Sequence, residues 1–241
     1  MERVFVWLGG GLFVASLAYC AYAYLFVWAE PAPVFDALAS NDLLRDLGPT
    51  LSRRLSIATN VVLFGVFAIH HSLFARERIK AWTLSLAPVR VQRSIYVWAA
   101  SLLFLLVCAS WAMIGGDLYD VRGWRAYAHG CVQLAGVALI AGAVRTIDPL
   151  ELAGIRQRSR NSTLQIAGPY RWVRHPLYLG WMMAVFGAAH MTADRLLFAV
   201  ISSLYLVIAI PWEERSLARE FPDDYAAYRQ QVRWRVVPYV Y

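Results

Sequence analysis

The chain alternates long apolar runs with short polar connections. Apolar residues dominate six runs, at positions 4–28, 55–74, 94–115, 126–144, 176–193 and 196–212. A helix needs about 20 residues to cross a bilayer, and a backbone in lipid must satisfy its own hydrogen bonds. The pattern predicts an all-α, polytopic membrane helix bundle with about six transmembrane helices. Because only Asp194 and Arg195 separate the last two runs, these runs are predicted to form a tight helical hairpin.

Composition and charge agree with this class and predict an orientation. Hydrophobic residues make up 59% of the chain and charged residues only 16%, against about 25% charged in soluble domains. The net charge of +7 is dispersed among the apolar runs, so nucleic-acid binding is not expected. Basic residues favour the cytoplasmic side of a membrane, and most of them lie on one side if both termini are cytoplasmic. Residues 76–93 and 168–175 are then cytoplasmic as well.

Polar and conformationally restricted side chains are concentrated at residues 168–180, GPYRWVRHPLYLG, where an apolar run begins. Charge at the rim of a hydrophobic helix is costly and marks a site or an anchor. Beyond the last apolar run come Glu213 and Glu214, and then Pro222 with two aspartates, which predict a helix start. Tyr225 and Tyr228 share one face of that helix with Val232, a face predicted to pack on the membrane or on the preceding helix.

These motifs resemble the isoprenylcysteine carboxyl methyltransferase superfamily, which also includes phospholipid methyltransferases. The resemblance rests on RHPLYLG at 174–180, on the acidic pair at 213–214 and on the aromatic residues of the segment leading to Pro238. HSLFAR at 71–76, QRSIYV at 92–97 and GIRQ at 154–157 narrow it to the bacterial methanethiol S-methyltransferases. That family usually has Gln at the position of His70 and Phe at that of Ala153, and both departures concern the acceptor side.

The resemblance implies an enzyme that moves a methyl group from S-adenosylmethionine to a membrane-soluble acceptor, with no metal. A small hydrophobic thiol is the preferred acceptor, with methanethiol giving dimethyl sulfide. A prenylcysteine carboxylate or a lipid headgroup is the alternative. The implied enzyme is a single-domain protein, residues 1–241, that lies in the bacterial inner membrane. Its site opens to the cytoplasm, and the sequence does not specify its oligomeric state. Residues 1–165 would form the acceptor side, and 166–241 the cofactor-binding side.

A site for this donor needs a cation, carboxylates and aromatic walls. Arg174 or His175 is predicted to hold the donor's carboxylate, with help from Tyr178. Glu214 is predicted to hold the donor's ribose hydroxyls or its ammonium group, with Glu213 as the second choice. The predicted cofactor-binding residues are Tyr170, Arg174, His175, Tyr178, Gly180, Glu213 and Glu214. Gly180 would allow close approach of the ligand or of a neighbouring helix. Structural alternatives are headgroup anchoring for the motif's arginines, a helix cap for His175 and a solvated helix end for the acidic pair.

An acceptor thiol must lose its proton, since a free thiol has a pKa near 8.5. His71 is predicted to accept that proton, and Arg76 and Arg93 to stabilise the thiolate. A role as an interface residue is the alternative for His71. A non-enzymatic alternative is a haem-binding electron carrier. His70 and His71 point to different helix faces, so only one of them could serve, and His71 and His190 are predicted to lie near opposite sides of the membrane. A pair of His129 and His190, both extracytoplasmic by the predicted topology, is geometrically possible.

Overall fold

The computed structural model describes residues 2–30, 48–74, 89–156 and 163–241. Described residues are mostly α-helical, which confirms the predicted all-α class. The elements in chain order are α1 (Glu2–Tyr22) with a π-helical turn (Ala23–Val27), α2 (Gly48–Phe74), α3 (Val89–Ala109), β1 (Asp117–Asp120), α4 (Trp124–Ile147), α5 (Pro149–Leu152), a 3-10 turn (Gly168–Arg171), α6 (Pro176–Phe186), β2 (His190–Thr192), α7 (Ala193–Glu220) and α8 (Pro222–Gln231).

Among the described residues, five helices are long and apolar enough to cross a membrane. These spans are Glu2–Val27, Leu51–Phe74, Val91–Ala109, Trp124–Ile147 and Ala193–Glu220. The fifth apolar run instead yields α6, whose 11 residues fall short of the length of about 20 that a bilayer requires. The chain is therefore an integral membrane protein in which one predicted span is a short apolar helix.

The predicted tight helical hairpin at Asp194 and Arg195 is wrong. The helix before it, α6, ends at Phe186, and residues 190–192 form β2, which pairs antiparallel with β1. Asp194 and Arg195 belong to the first turn of α7 and are 0% and 6% exposed. Two charged residues between apolar runs looked like an exposed turn, but hydrogen-bond partners elsewhere in the chain allow them to be buried.

The chain forms two compact units, the first of which comprises Met1–Asp120, Ala153–Ile155 and His190–Ile201. Its core is aromatic: the ring of Trp28 lies 4.8 Å from that of Trp111 and 4.9 Å from that of Phe198, measured between centroids. The Asn60 side chain bonds both backbone groups of Ala112 at 2.8 Å. Asp194 accepts from the N–H groups of Ile114 and Gly115. Side chains thus replace some of the helical hydrogen bonds of residues 111–116, which are not helical, although the third apolar run was predicted to remain helical to 115.

The second unit comprises Val121–Leu152, Arg156–Ala189 and Ser202–Tyr241. Within it α4 and α6 meet at glycines: a Cβ on Gly136 would lie 2.6 Å from the Gly180 carbonyl oxygen, and one on Gly180 would lie 2.7 Å from that of Gly136. The Gln133 side chain donates to the Ala184 carbonyl at 2.9 Å. Backbone-to-backbone packing therefore positions α6. The functional division into residues 1–165 and 166–241 stays a prediction.

Gly180→Ala is expected to destabilise the protein by about 1–3 kcal/mol, because the added methyl group overpacks the contact between α4 and α6. The measurement is thermal unfolding in detergent. Gly130→Ala is the matched control on α4, since a Cβ there meets nothing within 4 Å and alanine favours a helix by up to about 1 kcal/mol. Equal stabilisation by both changes would contradict the packing role of Gly180.

Candidate functional site

The motif at residues 168–180 turns the chain into α6. Gly168 has a φ of +57°, which glycine adopts without strain, and Pro176 occupies the first turn of α6, a favoured position for proline. His175 stands at the N-cap, but its side chain makes no capping hydrogen bond. His175 is therefore the N-cap residue by its backbone position, as the structural alternative expected, but its imidazole is directed elsewhere.

The backbone of the motif pairs with the tail, which we define as residues 232–241. The Arg174 N–H donates to the Trp234 carbonyl at 2.9 Å, and the His175 N–H donates to the Arg235 carbonyl at 2.8 Å. The tail also closes on itself, since the N–H groups of Arg235 and Val236 both donate to the main-chain oxygen of Tyr241 at 2.9 Å. The two basic residues of the motif are thus held against the tail by main-chain bonds.

A buried ionic network joins the motif, α7 and the tail. Arg174 Nε donates to Glu214 Oε1 at 2.7 Å, and Arg235 Nε donates to Glu214 Oε2 at 3.2 Å. Arg174 Nη1 also donates to two tail carbonyls, those of Val232 at 2.8 Å and Arg233 at 2.7 Å. Arg174 and Glu214 are 8% and 6% exposed. The Glu214 carboxylate therefore has both oxygens engaged by guanidinium groups.

Sequence reasoning missed Arg235, which counted only as one of the five basic residues between 215 and 235 that favour a cytoplasmic C-terminus. Burial lowers the pKa of its guanidinium, but the Glu214 carboxylate and the Tyr241 hydroxyl together outweigh this effect and raise the pKa overall. Arg235 also lies over the Tyr241 ring, 5.0 Å from its centroid. The tail therefore supplies the second cation of the network.

A second polar group lies beside this network. The His175 ring stacks on Tyr178 with centroids 5.2 Å apart, and the Tyr178 hydroxyl donates to Glu213. His175 Nδ1 lies 3.6 Å from Glu213 Oε2, and His175 Nε2 lies 3.5 Å from Glu214 Oε1. The Glu213 side chain is 46% exposed, whereas that of Glu214 is 7% exposed. Two adjacent glutamates thus take different roles, one open to solvent and one enclosed.

Tyrosines support the site from α8. Tyr225, Tyr228 and Val232 form a buried cluster with Leu164 and with residues of α7, so the predicted face packs on the preceding helix. The Tyr228 hydroxyl donates to the Tyr170 carbonyl at 2.7 Å. Burial raises the pKa of Tyr225 to about 12, assisted by the charge of Glu214. The Tyr225 hydroxyl, which sequence reasoning missed, is thus a protonated donor near Glu214.

The predicted catalytic residues belong to the first unit, with the exception of Arg76, which lies outside the described residues. His71 near the end of α2 has its Nδ1 atom 2.8 Å from the Tyr96 hydroxyl oxygen on α3. Arg93 is half-buried three residues before Tyr96. The structure thus brings together His71 and Tyr96. Tyr96 belongs to the QRSIYV motif but was not predicted to be a site residue.

The histidines of the haem alternative have other contacts. His190 Nε2 lies 2.7 Å from Asp117 Oδ1, and His129 Nδ1 lies 3.1 Å from the Ala188 carbonyl oxygen. The ring nitrogen through which His190 would ligate iron is therefore engaged by a carboxylate.

Comparison with known proteins points to methyl transfer. The sequence profile of the phospholipid methyltransferase family matches residues 151–224, which include the motif and both glutamates. The chain is 36% identical over 190 residues to the methanethiol S-methyltransferase of Mycobacterium tuberculosis, covering 73% of this chain and 76% of that protein. The identity to methanethiol S-methyltransferase 1 of Bradyrhizobium diazoefficiens is 34% over 196 residues, covering 78% of this chain and 69% of that protein. The identity to methanethiol S-methyltransferase 2 of the same species is 32% over 229 residues, covering 92% of this chain and 87% of that protein. No solved structure matches the chain.

Proposed function

We propose that this chain, which belongs to the methanethiol S-methyltransferase family, transfers a methyl group from S-adenosylmethionine to methanethiol and so forms dimethyl sulfide. The observation that carries the proposal is the group of His175, Tyr178 and the exposed Glu213, held beside the buried network of Glu214. We place the reaction in the bacterial inner membrane, with the donor entering from the cytoplasm. Prenylcysteine and lipid headgroups remain the alternative acceptors.

The residues present fit the donor. His175 Nε2 and the Tyr225 hydroxyl are buried and have no hydrogen-bond partner in the described part of the chain. Since buried polar atoms are normally bonded, both are available to a polar ligand. S-adenosylmethionine supplies a methyl group on a sulfonium, so the transfer needs neither a metal nor a covalent enzyme intermediate. The protein has to align the reactants and exclude water, and alignment alone is worth on the order of 7–11 kcal/mol in favourable cases.

The geometry favours a different assignment of the donor-binding roles than the one predicted from the sequence. Glu214 is occupied by Arg174 and Arg235, so we assign it to holding the motif against the tail. Glu213 is exposed, and we assign it to the donor's ammonium or ribose hydroxyls. Because the Nε and Nη1 atoms of Arg174 serve the network, His175 becomes the first choice for the donor's carboxylate. Tyr178 orients Glu213 through its hydroxyl, and Gly180 serves the packing of α6 against α4.

The acceptor's proton is assigned to His71. The Tyr96 hydroxyl oxygen lies 2.8 Å from His71 Nδ1 and 3.4 Å from the His71 carbonyl oxygen. When the hydroxyl donates to that carbonyl, its oxygen can accept a hydrogen bond from Nδ1–H, and Nε2 is left as the basic nitrogen. A proton moved from the thiol to Nε2 leaves a thiolate, which is the nucleophilic form. Arg93 and Arg76 are proposed to stabilise its charge.

Purified protein is expected to produce dimethyl sulfide from S-adenosylmethionine and methanethiol, detected by gas chromatography of the headspace. His175→Ala should lower this rate at least about 100-fold if the loss of positioning follows the usual scale. Arg219→Gln, a change on the exposed surface of α7, is the control and should retain activity. Calorimetry with the donor alone separates the two parts of the proposal. Donor binding without product would refute methanethiol as acceptor, and the absence of both would refute methyl transfer.

A further inference from the structure

A cleft in the second unit lies outside the proposed donor group of His175, Tyr178 and Glu213. It has a volume of about 610 Å³ and is bounded by α8 and the tail. Its principal lining residues are Arg174, Arg229, Arg233, Arg235, Trp234 and Tyr241. We propose that this arginine cleft binds the phosphate of an anionic phospholipid headgroup, which is not a substrate.

The charge of the arginine cleft favours an anion. Four guanidinium groups line it and no acidic side chain does. Glu214 pairs with Arg174 and Arg235, whereas Arg229 and Arg233 are exposed and form no ion pair with any described residue. A planar guanidinium matches a phosphate with two parallel hydrogen bonds. The unpaired arginines therefore favour a phosphate group as ligand.

Packing at the end of α8 and the start of the tail positions these two arginines. Tyr225 and Tyr228 are buried on one face of α8, and Val232, just past the end of the helix at Gln231, is buried with them. Arg229 follows Tyr228 and Arg233 follows Val232, and both arginines are exposed. The buried cluster therefore holds Arg229 and Arg233 at the same cleft.

The position of the arginine cleft favours a lipid over a soluble anion. Arg174 lies two residues before the apolar helix α6, so the cleft is at the level where the chain enters its apolar segment. Aromatic and apolar side chains nearby are exposed, with Tyr239 at 86%, Val240 at 78% and Trp172 at 70%. Tryptophan and tyrosine concentrate at the membrane–water interface, and arginines near an anionic leaflet are attracted to its headgroups. A cationic cleft with an aromatic rim therefore fits the headgroup region.

The test is native mass spectrometry of the full chain in neutral detergent, titrated with phosphatidylglycerol or with phosphatidylcholine of the same acyl chains. Phosphatidylglycerol is expected to be retained preferentially. The double variant Arg229→Gln, Arg233→Gln should weaken its retention about 25-fold, since each arginine near an anionic surface contributes roughly a fivefold factor. The matched control is Arg215→Gln, Arg219→Gln, which removes the same charge from α7 without touching the cleft and should keep the preference.

The remaining outcomes count against the proposal. Equal loss in both double variants would mean a diffuse charge effect, and no preference for phosphatidylglycerol would mean no headgroup site. Displacement of the lipid by millimolar glycerol phosphate or inorganic phosphate would assign the cleft to a soluble anion. A loss of S-adenosylmethionine affinity in the cleft variant equal to its loss of lipid would make the cleft part of the donor site. Unchanged thermal unfolding of the variant verifies that it is folded.

Discussion

Replacing Glu214 with glutamine is expected to destabilise the protein by about 3–5 kcal/mol, the cost of removing one partner from a buried ion pair. The carboxylate is 6% exposed and faces the guanidinium groups of Arg174 and Arg235. A neutral amide would leave two cations without their counter-charge and would loosen the tail. Thermal unfolding in detergent measures this effect, with an expected fall in melting temperature on the order of 10 °C. Donor binding should be lost together with the ordered tail.

Glu213→Gln is the matched control, because it makes the same chemical change at the neighbouring position. The Glu213 side chain is 46% exposed, so the melting temperature should change little. Donor affinity, measured by calorimetry, should fall at least about tenfold, as expected when a charged partner of a ligand is neutralised. A Glu214→Gln protein with unchanged stability, or a Glu213→Gln protein with unchanged affinity, would overturn the division of roles between the two acids.

Replacing Asp194 with asparagine is expected to destabilise the protein by about 2–4 kcal/mol, because hydrogen bonds to a buried charge are strong and a mismatched partner is costly. Asp194 Oδ1 accepts from Trp111 Nε1 at 2.8 Å and from the Ile114 N–H at 2.9 Å, and Oδ2 accepts from the Gly115 N–H at 2.9 Å. An amide that keeps the first two bonds turns its NH₂ group towards the Gly115 N–H, so two donors face each other. Thermal unfolding again provides the measurement.

The control for this change is Asp117→Asn. Asp117 is exposed and pairs with His190 at 2.7 Å, and an exposed pair of this kind contributes under about 1 kcal/mol. If both substitutions lowered the melting temperature equally, the buried hydrogen bonds of Asp194 would not be the cause of its effect.

Helices were predicted correctly where the length of the apolar run is enough to determine that the segment is helical. The described spans from α1 to α4 and α7 follow runs that are long enough to satisfy the backbone within one segment. The start of α8 at Pro222 was also predicted from local residues. Prediction failed at residues 187–195, because an apolar stretch suits a strand as well as a helix. The partners that bury Asp194 lie about 80 residues earlier in the chain.

The sequence by itself determined the membrane class, the family and the candidate donor residues, because apolar length and motif spacing are local properties. Only the tertiary structure decided which glutamate is buried. Glu213 and Glu214 are neighbours on α7, so they project about 100° apart around the helix, and the positions of Arg174 and Arg235 determine which one is enclosed. Arg235 itself joins the site because the tail pairs with residues 174 and 175. Desolvation and ion pairing depend on partners that are distant in sequence, and folding alone brings those partners together.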